Sequence, residues 1–199
     1  MAAALSWEIH MDQIIQLWQP IVVSAVFVFI VSAVIWMATP LHKHDYKNPG
    51  DKEGAILSML RNEKLEAGVY CVPWMQCDKG GDKKAAMEKY NAGPWASLTV
   101  MGTKPSMGMS LTLWFVNTLL ISAMVGYITY HTLPNNPHYL KVFQAAGTAA
   151  TLAYCGYLLP LAAWHAVPMK QLPAKFFDGL LYACVTAGTF GWLWPQTVA

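Results

Sequence analysis

Charge is scarce in this chain. Only 12% of its 199 residues are Asp, Glu, Lys or Arg, about half the share usual for a soluble domain of this size. The scarcity is also uneven. Almost every charge lies between residues 42 and 104, and the rest of the chain is nearly bare. Apolar stretches of about 20 residues without charge exclude a water-soluble core and mark bilayer spans. The formal net charge of +2 is too small to indicate nucleic acid. The sequence contains no Walker motif, GxSxG elbow, HExxH or dinucleotide fingerprint, so no reaction class is assigned and no cofactor is expected. Residues 1–19 contain Glu8 and Asp12 but neither Lys nor Arg. A signal peptide opens with positive charge, so the first apolar stretch is expected to be a retained span.

What the chain has instead is hydrophobicity, at 55%, and nine Trp, a composition suited to anchoring at two membrane interfaces. The predicted architecture is an all-α membrane protein in a single membrane domain. Its four transmembrane helices lie at residues 20–39, 111–130, 142–164 and 176–194. Pro20 suits a first helical turn, Pro40 stops the first span, and Pro195 stops the fourth. Between the first two spans lies a loop of roughly 70 residues, 41–110. It is expected to carry short amphipathic helices, one over 51–68 with Asp51 as N-cap and one over 82–90. Pro73, Gly80, Gly81, Gly93 and Pro94 break the chain between them. The loop is short of apolar residues for a core of its own and is expected to lie on the membrane surface.

Basic residues set the orientation. Residues 41–110 carry ten, and the connection after the third span adds Lys170 and Lys175. The connection after the second span carries only Lys141. With four spans, twelve basic residues against one fall on the same side. The positive-inside rule then makes the long loop cytoplasmic and turns both termini outward.

Lipid tails are as apolar as Leu, so spans associate through close packing and hydrogen bonds. The fourth span offers Ala183, Ala187 and Gly191 at intervals of four, beside Cys184 and Gly188. The third offers Ala145, Ala149 and Ala153, flanked by Gly147, and the second offers Ser122 and Gly126. Such stripes read either as packing within the chain or as an interface with partner subunits or a second copy. The first span, rich in Val, Ile and Phe, shows no such stripe and is expected to face lipid or a partner.

Few residues invite chemistry. Asp178 is the one acidic residue of the last three spans, and an intramembrane carboxylate is a functional candidate by default. Its structural reading is a pair with Lys175 or Lys170, or an anion at a helix N-terminus. Asn117 and Thr186 are candidate members of a polar path. His42, His44, Cys71 and Cys77 offer two imidazoles and two thiols, the donor set of a tetrahedral metal site. However, the five residues between Cys71 and Cys77 exceed the usual zinc spacing, and the alternative reading is interfacial histidines with incidental thiols. No span carries a mid-membrane His, which argues against haem ligation. The 11 Met residues form no repeated Met-x-x-x-Met within a span that would suit copper.

Two segments, GPWASLTVMGTKPSMGMSLTLWF at 93–115 and FFDGLLYACVTAGTFGWLWP at 176–195, resemble a group of small bacterial four-span membrane proteins of no assigned activity. The PLHKHDYK segment after the first span fits the same group. The resemblance implies a bacterial inner-membrane location and carries over no site residue. Small-residue faces, few intramembrane polar groups and no catalytic constellation make the expected function a non-enzymatic scaffold or accessory subunit of a membrane complex. The alternatives are a small oligomeric transporter or channel, and a metal- or redox-linked membrane protein.

Overall fold

The computed structural model describes residues 15–75 and 82–195. Cys77, Gly80, Gly81 and the acidic residues before the first span lie outside them. In chain order the described residues form helix α1 (Trp18–Ala38), a 3-10 turn (Gly50–Lys52), helix α2 (Glu53–Glu63), strand β1 (Gly68–Val72), helix α3 (Lys83–Ala92) and strand β2 (Ala96–Val100). Helices α4 (Met107–Thr132), α5 (Tyr139–Cys155) and α6 (Leu158–Trp164) follow, then a 3-10 turn (Met169–Gln171) and helix α7 (Leu172–Leu193). The chain divides into two compact units, one of residues 1–46 with 107–199 and one of residues 47–106.

The larger unit holds four helical stretches long and apolar enough to cross a membrane: Trp18–Ala38, Met107–Thr132, Tyr139–Trp164 and Met169–Leu193. Their β-branched residues are mediocre helix formers in water. In hydrocarbon each backbone N–H must find its acceptor within its own segment, and that requirement overrides propensity. The third stretch is broken at Gly156 and Tyr157, which separate α5 from α6. Pro160 accounts for the break: it has no N–H for the Gly156 carbonyl, and its ring crowds that carbonyl.

The helices close into a ring. Helix α1 packs on α4 and α7, α4 packs on α5, and α5 packs on α7. Glycines set the close approaches. A Cβ on Gly179 would lie 2.6 Å from Cys155 Sγ and 3.2 Å from the Tyr154 carbonyl oxygen. One on Gly191 would strike the Tyr139 ring, and one on Gly147 would meet Ala187 at 3.3 Å. Gly126 lies against Phe190 and Ile21, while Gly188 has only the Tyr139 hydroxyl at 4.0 Å. Ala183 and Ala187 are buried, and Cys184 is exposed.

Two faces differ from the reading of the sequence. Helix α5 buries Val142, Ala146 and Ala150, one residue round from the Ala145, Ala149, Ala153 row. The extra 100° of rotation brings the Gly147 side onto α7. Helix α1 does own a small-residue face, with Ser24, Ala25, Val28 and Ser32 buried. The Ser24 and Ser122 hydroxyls share a hydrogen bond of 3.0 Å, and Trp114 Nε1 donates to Ser32 Oγ at 2.8 Å. Both bonds tie α1 to α4.

The smaller unit corrects the all-α expectation. Strands β1 and β2 pair antiparallel, from Gly68 opposite Val100 to Val72 opposite Ala96. Each is only five residues long, and more than 20 residues separate them, so no short turn marks them as a hairpin. Asp82 caps α3, accepting from the backbone N–H groups of Lys84 at 3.0 Å and Ala85 at 3.3 Å. Asp51 caps nothing. It sits in the 3-10 turn, and α2 runs on to a left-handed Lys64. No residue of these helices and strands is buried.

Candidate functional site

The site begins where α1 ends. Thr39, in extended geometry ahead of Pro40, donates from Oγ1 to the Ile35 carbonyl at 2.6 Å. Beyond Pro40 the chain turns tightly: Lys43 N–H donates to the Pro40 carbonyl at 3.1 Å and Asp45 N–H to that of His42 at 3.0 Å. Two consecutive turns fold the segment back toward the bundle and bury His42. The imidazole stacks on the Trp36 indole, with ring centroids 4.0 Å apart and planes 4° from parallel.

Both ring nitrogens of His42 face carboxylates. Nδ1 lies 2.9 Å from Asp45 Oδ2. Nε2 lies 2.7 Å from Asp178 Oδ2, a close polar contact outside hydrogen-bond alignment. Side-chain exposure is 5% for His42 and 7% for each aspartate, so solvent screens these contacts little. Lys175 adds a cation: its Nζ donates to Asp45 Oδ2 at 3.0 Å and lies 5.7 Å from the Trp36 ring centre. Gln171 Nε2 donates to the Asp45 carbonyl at 2.9 Å. Helix α7 thus presents Gln171 just ahead of its first turn and then Lys175 and Asp178 along one side, gripping the turn after α1 from three points.

Burial alone would push the Asp45 carboxyl up. The hydrogen bonds from His42 and Lys175, with their charges, outweigh burial and hold it below its ordinary value.

Asp178 is buried about 9 Å along α7 from Leu172. Its partner is His42, whereas Lys175, one of its expected partners, engages Asp45 instead. Asp178 Oδ1 is buried and has no hydrogen-bond partner among the described residues. The buried hydroxyls of Tyr182 and Tyr154, farther along on α7 and α5, also make no hydrogen bond of standard geometry. Their rings meet edge to face at 5.6 Å. Thr186, one turn beyond Tyr182, is fully buried and donates to the Tyr182 carbonyl at 2.9 Å. Asn117 is exposed on the outside of α4, away from this row.

The four candidate metal ligands are distributed differently. His42 is in the cluster just described, and His44 is exposed. Cys71 is exposed on β1 in the smaller unit, and Cys77 lies outside the described residues. Among the described residues no group of three or more His, Cys, Asp or Glu is arranged to hold a metal ion. A cavity of about 60 Å³ opens at the other end of the bundle, between the Pro134–Pro137 turn and Trp194. It has room for a few water molecules, well short of the space a small-molecule ligand needs.

The pairing of His42 with Asp178 joins residues 136 positions apart, and the charge pattern alone does not reveal it. One signal does: His42 follows the end of the first span and Asp178 lies inside the start of the fourth, so both belong to the same membrane face. No family model, curated protein or solved structure matches the chain.

Proposed function

We propose that this protein is a non-enzymatic membrane component, a scaffold or accessory subunit of a larger membrane complex. One observation carries the reading: the ionisable groups of the site are engaged with one another. His42 is held between two carboxylates and Lys175 is bound to Asp45. Such a cluster works as a latch that fixes the turn after α1 to the start of α7. Two serine hydroxyls between helices are likewise committed, Ser24 with Ser122 and Ser32 with Trp114. The basic loops and the resemblance to bacterial four-span proteins support an inner-membrane location, with the long loop cytoplasmic, both termini outward and the latch on the cytoplasmic side. Affinity purification of the full chain from native membranes tests the reading. The expected result is recovery in fixed proportion with other membrane proteins or with further copies of itself. A monodisperse monomer with no companion overturns it.

A second reading, a small oligomeric transporter of protons, draws support from the row of buried polar atoms at Asp178 Oδ1, Tyr182 and Tyr154. It makes Asp178 the relay group. The full chain in sealed vesicles would then conduct protons, and D178N would abolish the flux. Equal flux for D178N and the native chain removes this reading.

A further inference from the structure

Helix α4 carries an unsatisfied amide in the middle of its outer face. Asn117 is exposed, and it makes no hydrogen bond with any described residue. It lies about 15 Å from the Met107 end of the helix and farther from the Thr132 end, hence near mid-depth of a hydrocarbon layer about 30 Å thick. Its side chain is far too short to reach either headgroup region. Exposed threonine hydroxyls on the spans behave differently. Thr112 donates to the Gly108 carbonyl at 2.9 Å, Thr132 to that of Ile128 at 2.9 Å and Thr148 to that of Gln144 at 2.8 Å. Each returns its hydrogen bond to its own helix. Gln144 sits only about 8 Å from the start of α5, where a longer side chain reaches the interface. Asn117 has neither escape, and an amide left unpaired in hydrocarbon costs several kcal/mol.

The surrounding residues show what is placed to satisfy it. Leu113, Leu120 and Tyr127 are each about 60% exposed and recur every seven residues; Val116 and Met124 are also exposed beside Asn117. A seven-residue repeat along one helix face is the seam of a left-handed helix pair. A carboxamide both donates and accepts, so it is its own complement. Two copies in one bilayer share the same orientation, and a two-fold axis along the membrane normal sets Asn117 against Asn117 at equal depth. A different partner protein would need its own polar group at that depth and register, whereas a second copy supplies one by symmetry.

From this we infer that the chain forms a homodimer through the outer face of α4, with the two Asn117 side chains hydrogen-bonded to each other. The inference rests on the accessory-subunit or scaffold reading and names one partner for it, a second copy.

The test uses the full chain with Cys71 and Cys77 changed to Ser and Cys155 and Cys184 to Ala. Single cysteines are then introduced as Leu120→Cys on the proposed seam and Leu152→Cys on the exposed side of α5, and native membranes are oxidised. The expected result is a disulfide-linked dimer for L120C and none for L152C. In vesicles, fluorescence energy transfer between labelled chains is expected to show dimerisation weakened about three- to tenfold by N117L and largely retained by N117Q. Leu suits lipid better than Asn, so N117L does not threaten folding. No crosslink at position 120, equal crosslinking at 152, or unchanged dimerisation for N117L each overturns the homodimer. If other membrane proteins still co-purify in fixed proportion, the accessory-subunit reading survives that failure. A lone monomer defeats both.

Discussion

His42 is the residue on which the bundle's charged edge turns. Its ring stacks on Trp36 and separates two carboxylates that would otherwise face each other with little solvent between them. Removing one partner from a buried ionic group leaves the others uncompensated, at a cost of about 3–5 kcal/mol. H42A is therefore expected to lower stability by about that amount in thermal unfolding of the detergent-solubilised chain. The double change H42A with D178N should cost less than the sum of the single changes, because both break the same His42–Asp178 contact; strict additivity would argue against the coupling. Asp45 adds a pH signature. Its carboxyl is held below its ordinary value in the folded chain, so it binds a proton more weakly folded than unfolded. The stability it contributes is complete above the unfolded value, near about 4, and fades as pH falls through the lower folded value. The unfolding midpoint should thus drop on acidification below about pH 4, and D45N should flatten that drop while lowering stability at neutral pH. An identical acid limb in D45N would refute the assignment.

At the scale of elements, tight helix approach was partly legible in the sequence and partly hidden. Hydropathy marked four stretches within a few residues of the observed helices because a bilayer demands length and apolarity together. The buried face of α5 lies one residue from the most regular alanine row, because Val142 and not Ala145 begins the inward face. Helix α1 hid its small-residue side, since Ser24, Ala25 and Ser32 are scattered among Val, Ile and Phe and only the structure shows them facing inward. Strands β1 and β2 were missed because five-residue runs set far apart carry no local turn signal. One of the close helix approaches, Gly179 against Cys155 and the Tyr154 carbonyl, makes a sharp prediction. G179A drives a methyl into both, and overpacking of this kind costs about 1–3 kcal/mol. Adding C155A removes the sulfur but not the carbonyl, so stability should return only in part. Unfolding midpoints of the two variants measure this, and a neutral G179A would mean that the helices separate freely there.

For the whole molecule, the division into two units carries the largest consequence. The loop unit, residues 47–106, has no buried residue in its helices or strands. Among its described residues it shows no packed core of its own. The spanning unit has its own closed ring of helices, its own hydrogen bonds across α1 and α4, and a latch made wholly of residues outside the loop unit: Trp36, His42, Asp45, Gln171, Lys175 and Asp178. The Ser32–Trp114 bond brings the late part of α1 beside the early part of α4, so a short flexible connection can join them. Replacing residues 47–106 with a Gly/Ser linker of about 20 residues should accordingly leave the four helices folded in the membrane, with an unfolding midpoint close to that of the full chain. The L120C crosslink should persist too, because the seam it reports lies wholly on α4. A linker variant that is degraded or fails to insert would show that the loop unit is needed for the bundle to form, and the ring of helices would then not be a self-sufficient fold.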